Sequence, residues 1–257
     1  MSAVYIVTGA SRGLGEAIAE YLLTPGNRLF CISRTRNEAL QQRAAAAGVG
    51  LDWFERDLEE LAQGDAADAL MRELLGGIAE SGSTPALRLI NNAGVLEPIG
   101  PAHRNDASAV ARHIAVNLTA PIGLTSAFLR LTESLDADKR VMQISSGAGR
   151  KPYAGWSAYC AAKAGLDHFT RCVKLEQDAL RCGAKVASVA PGVVDTAMQA
   201  LIRSSGEEQF PTRARFVEMH ESGALSSPGE AAERLIKFLE HSEFGEEPVA
   251  DIRDFTQ

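Results

Sequence analysis

The sequence predicts an α/β fold, a single doubly wound parallel sheet with helices on both faces, spanning residues 1–257 as one domain. Three features predict it. Short apolar, β-branched runs alternate with helix-periodic segments from one end of the chain to the other. The first such run enters a glycine-rich turn and then a helix. Later runs end in polar or glycine-containing turns, at the strand ends where open α/β sheets hold ligands. Neither a linker, an internal repeat nor a low-complexity tract divides the chain, and 257 residues suit one large core.

In order, Val4–Val7 reads as the first strand, TGASRGLG at 8–15 as the turn, and the segment through Ile18, Tyr21 and Leu22 as a helix stopped by Pro25-Gly26. Glycines 9, 13 and 15 let the backbone approach a pyrophosphate, and the helix start offers free N–H groups. The spacing is G-x-x-x-G-x-G rather than the G-x-G-x-x-G of the commoner fingerprint. Arg28–Ser33 is the second strand. It ends in Ser33-Arg34 where an NAD site carries an acid for the ribose, so Arg34, Ser33 and Arg12 suit a 2′-phosphate and NADP(H).

A helix over Glu38–Ala47 precedes the third strand, Leu51–Glu55, and Asp57-Leu58, where the carboxylate either accepts from an adenine amino group or caps a loop. Glu59–Ala79 reads as helix, broken near Gly76-Gly77 and closed by SGSTP. Ala86–Ile90 is the fourth strand and enters Asn91-Asn92-Ala93-Gly94, a turn or a ligand loop. Asp106–Leu135 is one long helix containing Asn117, a polar amide that holds a water or backbone group or is simply satisfied in the core. Arg140–Ile144 is the fifth strand, followed by Ser145-Ser146.

A helix from about 157 to Leu180 carries Tyr159 and Lys163 on one face, four residues apart. The ammonium is expected to favour phenolate and lower the tyrosine pKa. Lys185–Val189 is the sixth strand, ending in Pro191-Gly192-Val193-Val194-Asp195-Thr196. Residues 197–226 read as a lid-like segment, Pro228–Leu239 as the last helix, and Pro248–Ile252 as a short final strand.

Hydrophobic residues at 46% and charged residues at 23% are ordinary for a soluble globular protein. The net charge of −7 argues against a nucleic-acid partner. No apolar run approaches the roughly 20 residues of a membrane span, and MSAVYIVTGA has no basic leader segment, so a cytoplasmic protein without a membrane partner is expected. Cysteines 31, 160, 172 and 182 show no Cys-x-x-Cys pairing and read as reduced thiols, and His103 and His113 lack metal-ligand spacing, so no metal is expected.

TGASRGLG at 8–15, NNAG at 91–94, Asn117, Ser146, YCAAK at 159–163 and PGVVDT at 191–196 stand in one order, and with them the whole chain resembles the short-chain dehydrogenase/reductase family, a Rossmann-type fold. Within it, ASRGLG, Ser33-Arg34, GWSAYCAAKA at 155–164, PGVVDTAMQ at 191–199 and VADIRD at 249–254 are similar to sepiapterin and benzil reductases. The resemblance implies an NADP-dependent oxidoreductase acting on C=O and CH–OH groups, with Asn117, Ser146, Tyr159 and Lys163 as catalytic residues. Tyr159 would protonate the alkoxide, Ser146 would bind the carbonyl oxygen, Lys163 would hold the nicotinamide ribose, and Asn117 would hold a relay water.

By the same resemblance Gly9, Ser11, Arg12, Gly13, Leu14, Gly15, Arg34, Asp57, Leu58, Asn91, Ala93, Gly94, Tyr159, Lys163, Pro191, Gly192, Val194 and Thr196 would bind NADP(H). Ser146, Trp156, Tyr159 and Asp251 would meet a small carbonyl substrate, although a lone carboxylate near a C-terminus reads as exposed and solvated. The ending DIRDFTQ lacks the aromatic-rich close of sepiapterin reductases, which favours a bulky ketone or 1,2-diketone over a pterin. A 3-oxoacyl reductase and a non-catalytic NADP-binding sensor are the alternatives. Family members commonly pair through two long helices, so a homodimer or homotetramer is expected.

Overall fold

A computed structural model describes residues 3–76 and 86–255. The strands β1 (Ala3–Thr8), β2 (Arg28–Ser33), β3 (Gly50–Glu55), β4 (Ala86–Asn91), β5 (Lys139–Ile144), β6 (Lys185–Ala190) and β7 (Val249–Asp251) form one parallel sheet in the order β3-β2-β1-β4-β5-β6-β7. The helices are α1 (Gly13–Tyr21), α2 (Glu38–Ala46), α3 (Leu58–Leu61), α4 (Ala66–Leu75), α5 (Ala107–Ile114), α6 (Ala120–Thr132), α7 (Ser157–Asp178), α8 (Ala197–Ser204), α9 (Arg213–Glu221) and α10 (Pro228–Glu240). Strand order reverses between β1 and β4, which opens a crevice beyond their carboxyl ends.

Both faces of the central strands β1, β4, β5 and β6 are buried almost throughout, and residue parity decides which helices each side chain meets. Tyr5, Val7, Leu29, Cys31 and Met142 join Ile18, Leu22, Leu235 and Leu239 on one face. Val4, Ile6, Phe30, Ile32 and Val141 join Met71, Leu74, Leu124 and Phe128 on the other. Burying each large apolar side chain contributes about 1.5–3 kcal/mol. Cys31 lies inside this core and its thiol is pushed up to about 12 by burial; all four cysteines are free.

Two helices differ from expectation. Instead of one helix over Glu59–Ala79, the chain breaks at Gly64, whose φ of +53° suits glycine, leaving α3 and α4. The expected break at Gly76-Gly77 falls partly, and SGSTP wholly, outside the described residues, although Gly76 does cap α4. The expected long helix over Asp106–Leu135 runs from Ala107 to Thr132, but its turn Ala115–Thr119 is widened to π geometry. There Asn117 Nδ2 donates to the His113 carbonyl one turn back, at 3.0 Å, in competition with the backbone, and Pro121 has no N–H for the Asn117 carbonyl.

That same stretch, Ala107–Thr132, contains an 18-residue window with a mean hydropathy of 1.4 and is by length and composition apolar enough to cross a membrane, contrary to the expectation from the sequence. Its Leu124, Ala127 and Phe128 are fully packed against the sheet, as in a core helix.

Candidate active site

The glycine turn is a close-packed platform. A Cβ on Gly9 would come within 2.8 Å of Ala93 Cα, and one on Gly15 within 2.1 Å of the Gly9 carbonyl, so neither position admits a side chain. The Thr8 hydroxyl accepts from the N–H groups of Asn92 and Ala93, both at 3.0 Å, and Asn92 Nδ2 donates to the Thr8 carbonyl at 3.0 Å. The turns after β1 and β4 are thereby one unit. Helix α1 begins at Gly13 with no side chain capping it, so the N–H groups of its first turn face the crevice. Thr196 lies opposite, its Cγ2 3.5 Å from where a Gly13 Cβ would stand. Bare glycine backbone, an uncapped helix start and a crevice mouth fit the pyrophosphate of a dinucleotide.

Around this platform the structure redistributes the sequence-derived roles. Ser33 is buried, its hydroxyl donating to the Thr35 carbonyl at 2.8 Å and accepting from Trp53 Nε1 at 3.1 Å, so it is not free for a 2′-phosphate. Arg34 and Arg12 remain exposed and form no ion pair among the described residues. Asn37 holds their loops together by donating to the Ser11 carbonyl at 3.1 Å and to Glu16 at 2.8 Å. Asp57 caps α3 by accepting from Glu59 N–H at 3.0 Å, and Leu58 is buried. Asn91 turns into the core, its Nδ2 donating to the Thr125 hydroxyl at 3.1 Å, so it is Asn92 that fastens the loop. Gly94 packs against Asn117 Oδ1. After Pro191, Gly192 adopts φ +79°, and Val194 bridges to Ser226.

The chemistry-bearing residues meet where β5 ends. Ser146 starts a tight turn over Gly147–Gly149 and its hydroxyl accepts from Ala148 N–H at 3.2 Å. Tyr159 is buried on α7, and the neighbouring Ser146 hydroxyl draws the phenol's pKa down while burial drives it up more strongly. Lys163 is buried one turn further on. Its Nζ donates to the Ile144 carbonyl at 2.8 Å and lies 5.8 Å from the Tyr159 ring centre. Burial pulls the Lys163 pKa down to about 8. The expectation that Lys163 lowers the tyrosine is therefore corrected: desolvation dominates, and the partner drawing the phenol down is Ser146.

Asn117 spends its whole carboxamide inside the protein. Oδ1 accepts from Val95 N–H at 3.1 Å, while Nδ2 donates to the carbonyls of Val95 and His113, each at 3.0 Å. The side chain thus braces the loop after β4.

Sequence reasoning passed over two neighbours. His113 is buried edge-on to Tyr159 at 5.9 Å, with Nδ1 bonded to the Glu97 carbonyl at 2.8 Å; its place one turn before Asn117 was the available signal. Asp167, one turn after Lys163, is buried in the same manner.

Over the phenol sits an aromatic box. Trp156 stacks on Phe210 at 4.2 Å and 12°, meets Tyr159 edge-on at 5.6 Å, and shares its cluster with Tyr153 and Phe216. Phe210 and Phe216 come from the 197–226 segment, which folds as α8, a loop and α9. Gly155 makes that contact possible, since a Cβ there would fall 2.1 Å from the Gln209 carbonyl. Asp251, expected to be exposed, is only 9% exposed: Arg253 binds both its oxygens at 2.8 and 2.7 Å, and Arg150 lies at 3.6 Å.

With this geometry in place, comparison with known proteins is informative. Residues 3–207 match the family model described as short chain dehydrogenase. Benzil reductase ((S)-benzoin forming) of Bacillus cereus is 38% identical over 247 residues, covering 96% of this chain and 98% of that protein. Sepiapterin reductase of Rattus norvegicus is 32% identical over 274 residues, covering 98% and 97%. The crystal structure of a metagenomic short-chain oxidoreductase in complex with NADP superposes with a TM-score of 0.72 at 28% identity, covering 95% and 93%.

Proposed function

The chain belongs to the short-chain dehydrogenase family, and on that premise we propose that it is an NADPH-dependent reductase of bulky ketones and 1,2-diketones. It is an oxidoreductase of C=O and CH–OH groups that uses a nicotinamide cofactor and a small-molecule substrate. The observation that carries the finer reading is the half-buried Ser146 beside buried Tyr159 and Lys163, with the Trp156–Phe210–Phe216 box packed against the phenol.

When bound, the cofactor supplies hydride to the carbonyl carbon. Its pyrophosphate would rest on Gly13, Leu14 and Gly15, and Thr196 would face the nicotinamide side. Ser146 donates a hydrogen bond to the carbonyl oxygen, polarising it. Tyr159 gives that oxygen its proton as charge develops; a phenol kept protonated by burial is poised to donate. Lys163 anchors one N–H on Ile144, and the rest of its ammonium would hold the ribose of a bound cofactor and offset the negative charge that donation leaves on the phenol.

The box sets a cluster of aromatic side chains beside the phenol, and such apolar surroundings favour an aryl-substituted carbonyl over a short aliphatic one. Relatives named for benzil and sepiapterin support the same class, and the Arg150–Asp251–Arg253 cluster leaves no free carboxylate to anchor a pterin there. Arg12 and Arg34 stand exposed on two loops that Asn37 ties together, and their two cations favour the 2′-phosphate of NADPH. The exposed Leu175 on α7 suits the expected helix-paired homodimer or homotetramer, and a monomer mass by light scattering would refute it.

The test is NADPH and NADH consumption with benzil, deoxybenzoin, acetophenone and butanone. Benzil with NADPH should give the highest kcat/KM. A preference for butanone over the aryl ketones removes the substrate class, and equal use of NADH removes the cofactor reading.

A further inference from the structure

We propose that Asp167 is a positioning residue of the active site, a buried carboxylate that keeps Lys163 charged and fixes the β5 end that carries Ser146. The placement is explicit. Asp167 is 1% exposed and stands on α7 four residues after Lys163, on the same helix face. Its Oδ1 accepts from the hydroxyls of Ser145 and Ser188, both at 2.6 Å. Two hydroxyl donors converging on one oxygen at that length are the geometry of charge-assisted bonds to a carboxylate. They tie α7 to β6 and to the residue immediately before Ser146.

Oδ2 has no hydrogen-bond partner among the described residues. It is overlaid by Gly149, where a Cβ would lie 2.8 Å from it. A buried carboxylate costs stability unless it has a cation or donors to serve. The cation one helical turn away is Lys163, not in direct ion-pair contact, whose own burial works against its charge and on which Asp167 acts in the opposite direction. The other titratable groups around Lys163 do not supply an anion. Tyr159 is a buried phenol with its pKa raised, and His113, packed from α5, is held toward the neutral form by burial and by Lys163 itself. Cys160 lies beyond Tyr159, and on the β5 side the contact is the Ile144 carbonyl. The arrangement is thus cation and anion at successive turns of one helix, the first facing the crevice and the second clamped to the sheet.

The inference rests on the proposed reaction for its kinetic readout, and a second readout frees it from that reading. In Asp167→Asn the amide oxygen still accepts from both serines while the charge is gone. The alkaline limb of the kcat/KM profile for NADPH-driven ketone reduction should move down by about one pH unit, the size of effect a carboxylate within reach has on a neighbouring ionisation. Ser188→Ala removes one clamp bond and keeps the charge, so its limb should stay at the wild-type position even though stability falls.

The activity-free readout is the pH at which urea stability begins to rise. A lysine whose folded pKa lies below its unfolded value adds stability as pH climbs between the two. That rise should start about one unit lower in Asp167→Asn than in wild type. An unmoved limb and an unmoved rise in Asp167→Asn, or the same displacement in Ser188→Ala, overturn the proposal. Should Asp167→Asn not fold, Asp167→Glu decides: the limb stays at the wild-type position, and a downward displacement overturns it. If wild type reduces none of the ketones, the reaction reading falls and the stability readout still tests Asp167.

Discussion

At the amino end of the sheet, every N–H of the Arg88 guanidinium has an acceptor. Glu240 takes two bonds at 2.8 Å, Asp138 one at 2.7 Å through its carboxylate and one at 2.7 Å through its carbonyl, and Leu87 the last at 3.2 Å. Tyr5 adds its hydroxyl to Glu240, and Arg140 joins Asp138 to the carbonyls that end α10. At the carboxyl end, His113 Nε2, Trp156 Nε1 and Asp167 Oδ2 are buried with no partner among the described residues, and Lys163 carries a charge that its surroundings disfavour. The same sheet thus ends in a saturated network on one side and an under-satisfied one on the other. Satisfied buried polar groups fix a fold, whereas unsatisfied ones keep interaction capacity for something that binds. The difference assigns stability to one end and chemistry to the other, and substitutions at each end can break that assignment.

The largest effect is expected at Tyr159. Tyr159→Phe removes one hydroxyl from a buried ring, so turnover should fall by roughly 10²–10⁴-fold, the range for losing a general acid. Its thermal midpoint should hold or rise. Near-normal turnover with benzil and NADPH would remove Tyr159 from the mechanism and, with it, the functional reading of the carboxyl end.

Next is the cofactor end of the same crevice. Arg34→Asp replaces an exposed cation by an anion, and the ratio of kcat/KM for NADPH to that for NADH should drop by about 10²-fold, from charge-assisted contacts worth about 1.5–3 kcal/mol each. Steady-state kinetics with both cofactors checks it, and an unchanged ratio makes Arg34 a surface residue. Ser33, paired with it in the sequence argument, should matter little to this ratio because its hydroxyl is already engaged by Thr35 and Trp53.

What was legible in the sequence was what local spacing decides. The interval from Tyr159 to Lys163 fixes one helix face, and Gly9, Gly13 and Gly15 after a strand fix a tight, close-packed turn into a helix. What was not legible depends on which distant side chain arrives. Nothing near Ser33 announces Trp53, twenty residues on, and Asp251 appears solvated until Arg150 is brought beside it by the β5 and β6 connections. Asn91 and Asn92 look interchangeable in sequence, yet strand parity sends one to Thr125 and the other to Thr8. The direction of the Tyr159 pKa was misjudged for a related reason: pair spacing is visible in a sequence, whereas desolvation is a property of the assembled core.

A smaller effect is expected at the amino end. Arg88→Met should cost about 2 kcal/mol of unfolding free energy, less than the 3–5 kcal/mol of a fully buried pair because Asp138 and Glu240 keep part of their hydration. Urea denaturation measures it, and kcat should be unchanged. A loss of activity without a loss of stability would reverse the division of labour between the two ends.

The smallest change in stability has the most diagnostic sign. Lys163→Met should abolish turnover yet stabilise the fold by about 1–2 kcal/mol at pH 7, since relief from burying a cation, at about 1.4 kcal/mol per unit of pKa displacement, outweighs one lost hydrogen bond to Ile144 and the loss of the cation near Asp167, which keeps its two serine donors. The folded pKa of about 8 lies below the ordinary lysine value of 10.5, so the cost of holding the charge is fully present below pH 8. It shrinks as pH rises toward 10.5, where the unfolded chain loses the proton as well. The stability advantage of Lys163→Met over wild type should therefore be largest at pH 7 and smaller at pH 9.5. Cys31 and Tyr5, whose raised pKa values give both proteins a fall in stability at high pH, cancel in that difference. Urea melts of both proteins at the two pH values decide it. A destabilised variant, or an advantage that grows with pH, would mean that Lys163 is as well satisfied as Arg88, and the contrast between the two ends of the sheet would not hold.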